Sequence, residues 1–185
     1  VDNGADVINM SLGGGPPNTG FVDALKYAND NGVVVVMSSG NSAASHPGYP
    51  GRYATDYGIA VGAVDINKNE ASFSNRAGDT IMNYVSAPGV SIFSSIPGGG
   101  YSRFNGTSMA APHVTASIAL LKQQFPNLTS TQLVSLLTST ATDLGDAGTD
   151  DVYGVGMINL NAASTPSGMP YIAASNANRL QATTN

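Results

Sequence analysis

Four consecutive valines, Val33-Val34-Val35-Val36, followed by Met37, restrict this chain more than any other stretch of it. β-Branched side chains lose rotamer freedom in a helix and pack well on a pleated surface, so the run predicts a strand. Its unbroken apolar character predicts a strand buried on both faces, as in a parallel sheet covered by helices. The preceding residues agree. Val7-Ile8-Asn9-Met10-Ser11-Leu12 is a second apolar run and reads as a buried parallel strand, ended by Gly13-Gly14-Gly15-Pro16-Pro17. Between the two runs, over residues 19–31, Phe21, Val22, Leu25 and Ala28 recur on one helical face, with Gly32 as the stop. Strand, helix, strand in such close succession implies a right-handed crossover, and hence an α/β fold with a central, mostly parallel sheet.

The rest of the chain extends that pattern. A long loop over 42–58 leads to a strand at Ile59-Ala60-Val61-Gly62-Ala63-Val64. Ser72-Phe73-Ser74-Asn75 reads as a polar loop. Residues 91–96 and 101–104, separated by Pro97-Gly98-Gly99-Gly100, read as a hairpin. Past Gly106, apolar Val114, Ile118 and Leu121 lie at three- and four-residue spacings and predict a buried helix. A second helix over 129–140 carries Leu133, Leu136 and Leu137 on one face, and 156–160 predicts a short closing strand. Residues 164–185 are rich in Ser, Asn and Ala without periodicity, which predicts a tail or linker after a domain spanning 1–163. No internal repeat is present.

Composition excludes several functions. Only 10% of the 185 residues are charged and the formal net charge is −5, which speaks against nucleic acid or an anionic membrane as partner. There is no Cys, so neither disulfides nor thiolate chemistry. No apolar run approaches membrane-spanning length, and no signal peptide precedes the first strand. The start, Val1-Asp2-Asn3-Gly4-Ala5-Asp6, has no initiator Met and leads almost at once into a strand, so the chain reads as a piece of a longer polypeptide.

Gly106-Thr107-Ser108-Met109-Ala110-Ala111-Pro112-His113-Val114 carries the chemistry. Gly106 permits a sharp helix entry, Thr107 reads as the N-cap, and Ser108 falls in the first turn. There, free N–H groups and the positive dipole end favour negative charge, which suits a nucleophilic hydroxyl if some other group takes its proton. This segment resembles the serine motif of the subtilisin-like serine peptidases, the subtilases. VINMSLGG, VVVVMSSGN, YPGRY, IAVGAVD, SFSN, APG and YGVGMINLNAA stand in that family's order, so the resemblance runs from Asp6 to Ala163.

The resemblance implies part of a three-layer subtilisin-like fold and a secreted serine endopeptidase acting on peptides or proteins. It places the nucleophile at Ser108 and an oxyanion-hole amide at Asn41, with the backbone N–H of Ser108 as second donor. A neutral donor at a strand's carboxyl end is suited to charge that appears only in the transition state. Ser11, Leu12 and Gly13 become the edge that receives an extended peptide. Ser38, Ser39 and Gly40 become one wall of the specificity pocket, Gly13 the other and Gly48 the floor; the two serines predict a more polar wall than the family's usual alanines. A glycine floor leaves room for a large apolar side chain.

Calcium is the one cofactor for which candidate positions exist. The resemblance points to carbonyls around Tyr53 in the loop 51–58, where this chain has two extra residues. Asp143, Asp146, Asp150 and Asp151 supply clustered oxygens, but their spacing fits no EF-hand and they read more simply as turn acids. Of the two histidines, His113 falls one turn past Ser108 at a position that the family keeps for structure, and His46 falls on a loop. The family's catalytic Asp and His precede its SLGG segment, so the resemblance implies that an upstream segment of the same peptidase supplies them. Two other readings compete. One is a pseudoenzyme or fragment that only binds peptides, against which stands the presence of both Ser108 and Asn41. The other is an α/β-hydrolase esterase, against which stand Ala110 in place of that family's second elbow glycine and the lack of Asp-then-His partners after the serine.

Overall fold

The computed structural model describes residues 1–165, 171–174 and 180–183. Four parallel strands form the central sheet in the order β1-β2-β3-β4: β1 Val7–Met10, β2 Val34–Ser38, β3 Ile59–Val64 and β4 Tyr84–Pro88. The valine run is β2, buried at every residue, as its composition requires. Side chains alternate across it. Val34 and Val36 face the core built with α2 (Thr107–Gln124) and α3 (Ser130–Ser139), while Val35 and Met37 face α1 (Thr19–Asp30). Helices thus cover both faces, giving three layers. The first strand differs from expectation: β1 is only half-buried, because β2 pairs with one side of it and nothing described pairs with the other.

Helix ends follow the local chemistry. Asn18 caps α1 by accepting from Gly20 N–H at 2.8 Å, and Gly32 leaves the helix at φ +75°, a conformation that glycine adopts without steric cost. At α3, Thr129 and Gln132 form a capping box, and Leu133, Leu136 and Leu137 enter the core. The expected hairpin is present as β5 (Ile92–Ser95) and β6 (Tyr101–Phe104). The loop after β2 contains a short 3-10 helix, Gly51–Thr55.

Two further expectations are corrected. No strand forms at 156–160: Met157 makes single bridges to Ser86 and Thr142, and Leu160 already opens α4 (Leu160–Ser164). Its backbone does close the β4 edge, through Ser86 N–H to Gly156 O at 2.8 Å and Ile158 N–H to Ser86 O at 3.0 Å. In the polar loop 72–75, Ser74 and Asn75 are only 2% and 5% exposed, because their side chains have partners inside the fold. The second correction, at Thr107, belongs to the site below. Most of the stretch read as a tail lies outside the described residues; within it, β7 (Tyr171–Ala174) and β8 (Leu180–Thr183) pair antiparallel. Among the described residues no helix is long and apolar enough to cross a membrane.

Candidate active site

The first turn of a helix has four N–H groups without intrahelical acceptors. In α2 three of them are accounted for. Gly106 N–H donates to Gly89 O at 2.8 Å, Thr107 N–H to Asn41 Oδ1 at 2.9 Å, and Met109 N–H reaches Gly106 O at 3.0 Å. That leaves Ser108 N–H open. Thr107 is therefore not the N-cap. Gly106 holds that position at φ +153°, Thr107 is fully buried as the first helical residue, and the capping oxygen comes from Asn41 on the loop after β2.

This arrangement also orients the Asn41 amide. Its Oδ1 accepts a second bond from Thr107 Oγ1 at 2.9 Å, so Nδ2 is the end that remains available. The place that a Cβ on Gly106 would occupy is 3.5 Å from Asn41 Nδ2 and 3.6 Å from Ser108 N. Two neutral donors therefore border one small space beside the helix N-terminus, where negative charge is favoured. Any side chain at 106 would project into it.

Ser108 is half-buried and held against β1's exit. Pro112 lies inside α2 and has no N–H for the carbonyl four residues earlier, which is Ser108 O. Ser11 Oγ donates to that freed carbonyl at 2.8 Å, and Ser108 Oγ donates back to Ser11 O at 3.3 Å. Ser11, expected to meet substrate, thus fixes the backbone of Ser108.

The residues expected to wall a pocket lie near one another, and one expectation about them changes. Gly48 N–H donates to Ser39 O at 2.8 Å, and Gly14 N–H donates to Tyr49 O at 3.1 Å, which sets Gly13 beside the loop of Gly48. Leu12 is 51% exposed. The serine wall, however, presents little polarity: Ser38 Oγ donates to Leu12 O at 3.1 Å and Ser39 Oγ to Asn75 O at 2.9 Å. Both residues are buried, and a buried hydroxyl takes whatever backbone acceptor is within reach. Next to this wall lies a 240 Å³ cleft lined by Leu12, Phe21, Tyr49, Pro50 and Tyr53. A 640 Å³ groove runs from Ser108 between α2 and the β5–β6 hairpin, past Met109, Pro112 and Phe104. Neither was legible in the sequence, since the shape of a cleft depends on how its walls pack in space.

Neither histidine serves Ser108. His113 Nδ1 lies 2.9 Å from Met109 O, within its own helix. His46 is exposed, and Arg52 Nη1 lies 3.1 and 3.2 Å from its two ring nitrogens. Several of the calcium candidates already have partners within the chain. Tyr53 O already accepts from Asp56 and Tyr57 N–H at 3.0 and 2.9 Å. Asp150 accepts from Val152, Tyr153 and Asp146 N–H, and Asp143 from Gly148 N–H, so these carboxylates brace turns.

A model of the subtilase family, peptidase S8, matches residues 1–156. The chain belongs to the subtilase family. Subtilisin DY of Bacillus licheniformis is 48% identical over 168 residues, 89% of this chain and 58% of that protein. Subtilisin BL of Lederbergia lenta is 45% identical over 164 residues, 88% of this chain and 58% of its own length. Alkaline elastase YaB of Bacillus sp. (strain YaB) is 44% identical over 165 residues, 89% of this chain and 41% of its own length. The chain thus spans about half the length of these curated relatives. Among solved structures, the prenylagaramide maturation protease PagA aligns with a TM-score of 0.76 at 29% identity, covering 89% of this chain and 62% of that one. Membership in this subtilisin-like serine peptidase family agrees with the α/β fold and with the serine at the mouth of α2.

Proposed function

We propose that this subtilase chain is the C-terminal part of the catalytic domain of a secreted serine endopeptidase. The carrying observation is the pair of donors, Asn41 Nδ2 and Ser108 N–H, bordering one space next to Ser108. In the reaction Ser108 Oγ bonds to the scissile carbonyl carbon, and its proton passes to a histidine supplied by an upstream segment of the same peptidase. The carbonyl oxygen takes the negative charge between the two donors. As the C–N bond breaks, that histidine protonates the leaving amine, and water then hydrolyses the acyl-enzyme on Ser108. An extended peptide or protein substrate adds to the edge at Ser11, Leu12 and Gly13, with its side chain before the scissile bond between Ser38–Gly40, Gly13 and Gly48.

The test uses the full-length peptidase. Ser108→Ala should abolish peptide hydrolysis. Asn41→Ala should lower kcat by roughly 10- to 160-fold with KM little changed, the equivalent of about 1.5–3 kcal/mol for a lost hydrogen bond to a charged group. Peptide binding that survives in a wild-type protein without hydrolysis would favour the binding-only reading.

Specificity follows from the same walls. Gly13 and Gly48 bear no side chain, and the Ser38 and Ser39 hydroxyls are spent on backbone carbonyls. A panel of peptides varied before the scissile bond should show preference for large apolar or aromatic residues. Preference for Arg or Lys there would contradict this pocket.

A further inference from the structure

Asn75 is 5% exposed, and each hydrogen bond of its side chain ends on the segment that carries Asn41. Oδ1 accepts from Ser42 N–H at 2.9 Å and from Ala44 N–H at 3.1 Å, while Nδ2 donates to Ser39 O at 3.0 Å. Its backbone joins in: Asn75 N–H donates to Gly40 O at 2.9 Å, and Asn75 O accepts from Ser39 Oγ at 2.9 Å. The residues on both sides of Asn41 are therefore held by one asparagine, and Asn41 is the projecting link between them.

Asn75 is itself anchored to the sheet. Its carbonyl accepts from Tyr84 Oη at 2.7 Å and from Ser74 Oγ at 3.2 Å, and Ser74 Oγ accepts from Ala63 N–H at 3.0 Å. Tyr84 opens β4 and Ala63 belongs to β3. Burial raises the Tyr84 phenol well above its ordinary pKa, so it stays a donor. Two parallel strands thus hold Asn75, Asn75 holds the loop, and the loop presents the amide.

We propose that Asn75 is a positioning residue for the reaction, setting the place and direction of Asn41 Nδ2; this rests on the peptidase reading above. The chemistry selects asparagine. The loop offers a carbonyl on one side and two N–H groups on the other, and a side-chain amide matches both from one plane. Aspartate has the same shape but would set a second oxygen against Ser39 O, inside a buried site. Gly40 reports the same fit: at φ +110°, a Cβ there would fall on the Asn75 amide, 2.4 Å from Nδ2.

A double-mutant cycle in the full-length peptidase separates positioning from simple support of the fold. Asn75→Asp should lower kcat at least about tenfold in the wild-type background and less than about twofold when Asn41→Ala is already present, because the group it positions is then gone. Equal fold-losses in both backgrounds would make Asn75 a stability residue only and overturn the proposal. Should Asn75→Asp fail to fold, as judged by thermal unfolding, Asn75→Ser takes its place in the same cycle with the same criteria. The reading beneath the proposal fails in a distinguishable way. If Asn41→Ala alone leaves kcat unchanged while Ser108→Ala abolishes it, the oxyanion role of Asn41 is wrong and the proposal falls with it. If no hydrolysis depends on Ser108, the peptidase reading itself is wrong.

Discussion

Expressed alone, residues 1–185 should leave Ser108 unlabelled by a fluorophosphonate probe, and the same chain produced with the upstream segment proposed above should label readily. A general base contributes about 10²–10⁴ to such a reaction. Neither histidine of this chain can supply it. His113 Nδ1 is engaged by Met109 O, and the exposed His46 ring lies against Arg52. Solubility should change in parallel. The open edge of β1 leaves Ile8 and Met10 half-buried beside a 250 Å³ cleft shared with Phe21 and Leu25, and Leu120 on α2 is 51% exposed. Unpaired strand edges and contiguous apolar surface favour association with other chains. The isolated chain should therefore aggregate, and the upstream segment should restore both solubility and labelling. Strong labelling of Ser108 in the lone chain, lost on His46→Ala or His113→Ala, would overturn the divided-triad reading.

In the full-length peptidase Gly62→Ala should be the most destabilising methyl addition in the sheet. A Cβ on Gly62 would fall 1.9 Å from Tyr84 Oη and 2.8 Å from Cζ. Tyr84 is 1% exposed and its ring has no room to retreat, since a Cβ on Gly154 on another side of it would already be 2.6 Å from Cδ1. The tyrosine must shift and release Asn75 O. Overpacking together with a lost buried hydrogen bond amounts to about 2–4 kcal/mol. For a domain of this size that is roughly 5–15 °C in Tm. Tyr84→Phe alone should cost about 1 kcal/mol, because Asn75 O keeps its Ser39 and Ser74 donors. In that background the hydroxyl is gone, and the Gly62→Ala penalty should shrink by about half. Additive penalties in thermal unfolding would show that the clash is relieved elsewhere.

The relation between those two residues marks where sequence reasoning stops. Period and residue shape are local properties. The valine run, the Leu25–Ala28 face of α1 and the Leu133–Leu137 face of α3 were legible because burial of a face imposes its own spacing on the chain. The motif around Ser108 was legible as well, and with it the family, because its small residues and proline are contiguous.

What the sequence determined by itself was the layered α/β architecture and, through the serine motif at the mouth of α2, the family. Tertiary structure alone decided where the polar groups point. Asn41 caps a helix 66 positions away, Ser11 answers the carbonyl freed by Pro112 from 97 positions away, and Ser39 spends its hydroxyl on Asn75 36 positions on. The stretch 72–75 reads as a polar loop, and Ser74 and Asn75 are nonetheless buried because folding brings partners to their side chains. A hydrogen bond depends on distances of a few tenths of an ångström between groups that the chain brings together only once it is folded. Hydrophobic periodicity carries no record of that pairing, and so the orientation of the Asn41 amide had to be read from the fold.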